Sequence, residues 1–116
     1  MPDRPRPRAD ETPELRRLRR RIDALDRRIV ALLNERAELG RGVGQAKADG
    51  GRRIVRDVER EREVLLRVSM ANHGPLSQAD LLAVYRRLIA ATRSLEAADR
   101  RRGSAGGEVR PTPTRR

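Results

Sequence analysis

Lys47 follows Arg36 by eleven residues. At about 100° per residue on an α-helix, that interval is three turns plus roughly 20°, so both cations leave the helix on one face. Asp57 and Glu61 are an i, i+4 pair, and so are Thr92 and Glu96; on helices each pair shares a face. Cations converging with carboxylates and a hydroxyl suit a small polyanion that itself carries a hydroxyl group. A plainer arrangement uses the same residues: an Arg and a Glu in facing helices can pair with each other and fix the register. Spacing leaves both readings open and names no ligand. The chain has no cysteine, and its one histidine, His73, falls in a turn. A thiol nucleophile or a Cys-based metal site is therefore excluded.

These side chains need helices to hold them, and the apolar pattern supplies three. From Leu15 the series Leu15, Leu18, Ile22, Leu25, Ile29, Leu32, Arg36, Leu39, Val43 and Ala46 advances in steps of three and four. That is a heptad-like seam on one long helix, weakened by Gly40, Gly42 and Gly44 and stopped at Asp49-Gly50-Gly51. A second helix is predicted from near Arg56 to Ala71, with Val58, Glu61, Leu65 and Val68 in its seam. Asn72-His73-Gly74-Pro75 reads as a turn. Ser77, with Asp80 three residues on, reads as the N-cap of a third helix whose seam is Leu81, Tyr85, Leu88, Thr92 and Leu95. No strand-like alternation occurs, so the expected fold class is all-α. Arg36, Glu61 and Thr92 are the places where the seams break the apolar rule.

Both ends fall outside this pattern. Residues 1–13 hold four of the seven prolines, and residues 100–116 are mostly Gly, Pro and Arg with a single Val. Both read as disordered tails flanking a helical domain over residues 14–99. With no Phe or Trp, and Tyr85 the only aromatic, the core must be Leu, Ile, Val and Ala. A first helix of about 33 residues would be roughly 50 Å long. A compact globule of about 86 residues is only about 30 Å across. The helix therefore overshoots any single-chain globule, and a two-fold, intertwined homodimer is expected to cover its seam.

The net charge of +11 raises the question of nucleic acid. The N-terminal tail nets zero, the C-terminal tail +5 and the helical part +6, where basic and acidic residues interleave. Nearly half the excess thus lies in one tail, and a single aromatic offers no platform for stacking bases. An anionic small substrate fits the same charge. No apolar run approaches the roughly 18 residues of a membrane span, and no signal-peptide core follows the Pro/Arg start, so a cytoplasmic location is expected.

Three segments carry a family resemblance. Leu18-Arg19, Ile22-Asp23-Ala24-Leu25-Asp26, Leu32-Leu33-Asn34-Glu35-Arg36 and Val43-Gly44-Gln45-Ala46-Lys47 resemble the first helix of the all-helical chorismate mutases. Arg56-Asp57-Val58-Glu59-Arg60-Glu61-Arg62 is similar to the start of that family's second helix, and Leu88-Ile89-Ala90-Ala91-Thr92-Arg93-Ser94-Leu95-Glu96 to its last. The segments come in order and cover residues 15 to about 98.

The resemblance implies a Claisen rearrangement of chorismate to prephenate, which needs no nucleophile, metal or cofactor. Arg36 would bind one carboxylate of the substrate, and Arg19 of the partner chain the other. Arg19 and Lys47, 28 residues apart, lie about 42 Å from each other along a straight helix, so one chain cannot bring both to one small ligand. Lys47 would approach the ether oxygen, Asp57 and Glu61 would hold the ring hydroxyl, and Thr92 would bond a carboxylate through its hydroxyl. Arg60 would support them or form a surface ion pair. Glu96 stands where the family has Gln, and an ionised carboxylate cannot donate to the ether oxygen. A second departure is one extra residue between Lys47 and Asp57. The same scaffold carries isochorismate-pyruvate lyase and aminodeoxychorismate mutase activities, and some relatives dock onto another enzyme of the aromatic pathway. Those, and an Arg-rich helical dimer that binds nucleic acid, are the rival readings.

Overall fold

A computed structural model describes residues 11–51 and 57–109 of the 116-residue chain, with side chains as far as Gly103. It contains three helices, α1 (Pro13–Asp49), α2 (Val58–Ala71) and α3 (Gln78–Val109), and no strand among the described residues. The expected all-α class and the three helices in their expected order are thus present. The expected disorder of residues 1–10 and 110–116, and the expected start of the second helix near Arg56, lie outside the described residues.

Each helix has a local reason to begin and end where it does. The backbone N–H of Leu15 donates to Thr12 Oγ1 at 3.1 Å, and Arg16 N–H to the Thr12 carbonyl at 3.0 Å. Thr12 is therefore an N-cap and Pro13 the first helical residue, where a missing N–H costs nothing. The helix takes in Pro13, which proline content alone places in a tail. At the other end Gly50 N–H reaches the Ala46 carbonyl, and Gly51, at φ 80°, turns the chain away. Asp57 caps α2 by accepting the Arg60 N–H at 3.0 Å. Ser77 Oγ accepts the Asp80 N–H at 3.1 Å and caps α3 as its sequence suggests.

The α2–α3 turn is held by side chains. Asn72 Nδ2 donates to the Leu76 carbonyl at 3.0 Å and to Gln78 Oε1 at 2.8 Å, while Asn72 Oδ1 accepts the Gly74 N–H. Gln78 Nε2 reaches back to the carbonyl and hydroxyl of Ser69. These bonds set α2 and α3 side by side as packed neighbours, with Val64, Leu65 and Val68 half-buried on α2 and Leu81, Tyr85, Leu88 and Ile89 half-buried on α3. α3 then runs ten residues beyond the expected boundary at Asp99. Arg100, Arg101 and Arg102 are good helix formers, and Arg102 pairs with Asp99 one turn back.

By its internal contacts the chain divides into Met1–Arg36 and Ala37–Arg116. In the first unit the α1 seam stands exposed: Ile22, Leu25, Ile29 and Leu32 retain about half of their accessible surface. In the second, α1 and α3 come close through glycine. A Cβ on Gly40 would lie 2.5 Å from the Thr92 Cγ2 methyl, and one on Gly44 would lie 3.3 Å from Glu96 Cγ. Gly42, between them, faces nothing within 4 Å. No described residue is fully buried, and no helix of the described residues is long and apolar enough to cross a membrane.

The three glycines should therefore behave differently when replaced. Gly42→Ala gains helix propensity and should stabilise the chain by about 0.5–1 kcal/mol. Gly40→Ala gains the same propensity but forces Thr92 or the helix aside, and should lower the melting temperature. Thermal unfolding of the two variants beside the parent checks both signs.

Candidate active site

The last turn of α1, the first turn of α2 and the middle of α3 place Lys47, Asp57, Arg60, Glu61, Thr92 and Glu96 in one unit. Lys47, in the last turn of α1, has its Nζ 3.6 Å from Asp57 Oδ2. That is an ion-pair distance, slightly too long for a good hydrogen bond. The other oxygen of Asp57 is the α2 cap. One turn along α2, Glu61 Oε2 accepts from Arg93 Nη1 at 2.5 Å, tying α2 to α3.

Glu96 lies one turn beyond Thr92 on α3, against Gly44. Its carboxyl is pushed above the usual carboxylate range, chiefly because partial burial disfavours its charged form. Lys47, Arg100 and Arg93 pull it back down, and Asp99 adds to the rise. Glu96 also lines a cleft of about 220 Å³ with Arg41, Gly44, Gln45, Asp99 and Arg100. In that cleft Arg41 Nε and Nη2 bond the two oxygens of Asp99 at 2.8 and 3.1 Å. This fork holds the Asp99 carboxyl below its usual range, first through the hydrogen bond from Arg41.

The remaining expected residues stand as follows. Thr92 Oγ1 donates to the Leu88 carbonyl at 3.1 Å, the local bond that a hydroxyl in a helix often makes. Arg60 pairs with Glu63 along its own helix at 2.6 Å. Arg19 pairs with Glu11, and it and the half-buried Arg36 belong to the unit Met1–Arg36. Among the described residues no group of three or more His, Asp or Glu side chains could hold a metal ion.

Arg93 and the Arg41–Asp99 pair are not among the residues that the sequence pattern singles out. A signal for Arg93 exists. Leu82, Ile89, Arg93 and Glu96 follow one another by seven, four and three residues, so a second half-buried line flanks the seam on α3. Arg41 and Asp99 are 58 positions apart and carry no comparable signal.

Lys47 and the carboxyl groups of Asp57, Glu61 and Glu96 thus stand on three helix segments of one unit, and comparison with known proteins decides the family. The family model of chorismate mutase type II matches residues 18–97. The chain belongs to that family. This type II domain is 39% identical over 87 residues to the bifunctional chorismate mutase/prephenate dehydratase of Aquifex aeolicus, an overlap of 72% of this chain and 24% of that protein. It is 45% identical over 58 residues to the intracellular chorismate mutase of Mycobacterium bovis, covering 49% of this chain and 53% of that one. The chain spans about a quarter of the length of the bifunctional relatives it matches. Among solved structures, the chorismate mutase (form II) of Thermus thermophilus superposes with a TM-score of 0.69 at 27% identity, over 72% of this chain and 94% of that one.

Proposed function

We propose that this type II domain converts chorismate to prephenate, and that it does so as a homodimer. The observation that carries the reading is the placement of Lys47 between the Asp57 carboxylate and a Glu96 carboxyl whose neutral form is favoured by burial. The reaction breaks one C–O bond and forms one C–C bond within a single molecule, so nothing is transferred to or from the protein. The protein has to fold the enolpyruvyl arm over the ring and stabilise negative charge on the departing ether oxygen. Lys47 and protonated Glu96 are the donors aimed at that oxygen. Arg36 and, from a second copy, Arg19 hold the two carboxylates. Asp57 and Glu61 receive the ring hydroxyl, and the Thr92 hydroxyl turns its proton from the Leu88 carbonyl to a substrate carboxylate.

The dimer rests on the α1 seam. Leu18, Ile22, Leu25, Ile29 and Leu32 form a periodic apolar line that one chain leaves exposed, and an identical antiparallel helix is its natural cover. Chorismate is the proposed substrate. Docking onto a second enzyme of the aromatic pathway has no particular observation in its favour.

The test is loss of chorismate, and separately of isochorismate, followed by absorbance with the purified chain at pH 5 and 7.5, prephenate being identified by acid conversion because its mass equals that of chorismate. Prephenate well above the uncatalysed rate supports the proposal. Pyruvate release from isochorismate would move the assignment to the lyase, and a folded protein with no turnover at either pH would sink it. Lys47→Ala should reduce turnover by about 10²–10³, the loss typical of removing one such donor, with little change in melting temperature. Equal losses of turnover and stability would make Lys47 a structural residue.

Two further outcomes follow from the electrostatics and the seam. Only neutral Glu96 can donate, and its neutral form persists above the usual carboxylate range. Activity should therefore hold at low pH and fall as pH rises through the Glu96 ionisation, whereas Glu96→Gln should give a flat profile. Light scattering should give twice the chain mass, and Ile22→Asp should return the protein to single chains.

A further inference from the structure

Arg93 acts from α3 on two of the proposed site carboxyls at once, as Lys47 does from α1. We infer that Arg93 is a positioning residue of the site, one that anchors the Glu61 carboxylate across the α2–α3 boundary and serves as a counter-charge to Glu96 on its own helix. The inference rests on the proposed mutase reading, because it matters through what Glu61 and Glu96 do to the substrate.

The geometry separates this pair from the ordinary surface pairs of the chain. Arg93 Nη1 lies 2.5 Å from Glu61 Oε2, and the two side chains keep only 30% and 16% of their accessible surface. Arg60–Glu63 keeps 55% and 52%. Solvent screens the exposed pair strongly and the Arg93 pair much less, so Arg93 can hold Glu61 in one orientation. That orientation decides whether a carboxylate oxygen meets a ring hydroxyl. Arg93 is also three residues before Glu96, the spacing at which helical side chains are neighbours.

Glu96 sits in a field of four charged groups. Lys47 comes from α1, while Arg93, Asp99 and Arg100 come from α3. From α2, Glu61 faces Arg93 directly. Burial favours the neutral form of Glu96, and Arg93 is the weakest of three cations that oppose it, after Lys47 and Arg100. The two roles of Arg93 therefore pull in different directions. It helps the site by fixing Glu61, and it limits the site by drawing Glu96 towards its ionised form. A residue that merely tied α2 to α3 would do the first without the second.

Two substitutions separate the roles. Arg93→Met removes both the tether and the charge, whereas Arg93→Gln removes the charge but keeps an amide donor for Glu61. In Arg93→Met the KM for chorismate should rise about fivefold, as expected for loss of a partly exposed ion pair, with a smaller change in kcat. The alkaline fall in activity should move to higher pH in both variants, and Arg93→Gln should keep a KM near that of the parent. The independent measurement is the titration of the Glu96 side-chain carboxyl by ¹³C NMR on the full chain, the resonance being assigned by its loss in Glu96→Gln. Its midpoint should rise in both variants. Arg93→Gln supplies the result if Arg93→Met does not fold. A midpoint unchanged from the parent in a folded variant overturns the inference, as does a KM in Arg93→Met equal to that of the parent. A parent without turnover would defeat the mutase reading itself, while the Glu96 midpoint would still decide whether Arg93 acts on it.

Discussion

The close approach of α1 and α3 at Gly40 and Gly44 is the constraint on which the site depends. A helix with three glycines in five residues sacrifices intrinsic stability, at about 1 kcal/mol for each exposed interior position. Two of the three glycines admit Thr92 and Glu96 to the surface of α1. Because Glu96 lies against the α1 backbone, Lys47 in the next turn comes within electrostatic range of it, and solvent is partly excluded from the carboxyl. A pair of ordinary side chains at Gly40 and Gly44 would hold the helices apart, return Glu96 to water and restore its ordinary ionisation. Backbone packing and the protonation state of one carboxyl are therefore a single property of this unit.

The second constraint is that the helices meet without enclosing a core. α2 and α3 share half-buried apolar residues, yet no described side chain is wholly withdrawn from solvent. Polar contacts carry much of the definition of this unit: the Asn72 and Gln78 bonds of the turn, the Arg93–Glu61 pair, and the Arg41–Asp99 fork. Such pairs add little stability at the surface but are selective in geometry, which suits a small aliphatic domain that has to hold charged side chains in register.

How much can be read from the residues alone follows from the range of each interaction. The three helices, the Gly50-Gly51 stop, the Ser77 cap and the Asn72–Pro75 turn are written in neighbouring residues, so periodicity and capping chemistry find them. Thr12-Pro13 is equally local, but its proline draws it into the tail. Residues 100–109 look poor in apolar content, yet a helix already established at Asp99 extends through three arginines at small cost, because propagation is far easier than nucleation. Lys47, Asp57, Glu61, Thr92 and Glu96 stand out because they break or flank an apolar seam or belong to a family pattern. The tie of Arg93 to Glu61 spans 32 positions and that of Arg41 to Asp99 spans 58, and helical periodicity carries no information over such intervals. The reach of a guanidinium across two helices becomes visible only when the helices are placed.

Asp57 divides its two oxygens between the helix cap and a neighbouring ammonium. Oδ1 accepts the Arg60 N–H and starts α2, while Oδ2 faces the Lys47 ammonium. Asparagine could keep the first task, but it would bring a neutral amide to Lys47 in place of a carboxylate. Glutamate could keep the charge, but its longer side chain would misplace the oxygen that caps the helix. Only aspartate, among the twenty side chains, is short enough and charged enough for both. The position is thus barred from the usual conservative exchanges, and a mutational scan would find it intolerant for two unrelated reasons, which asparagine and glutamate there would tell apart.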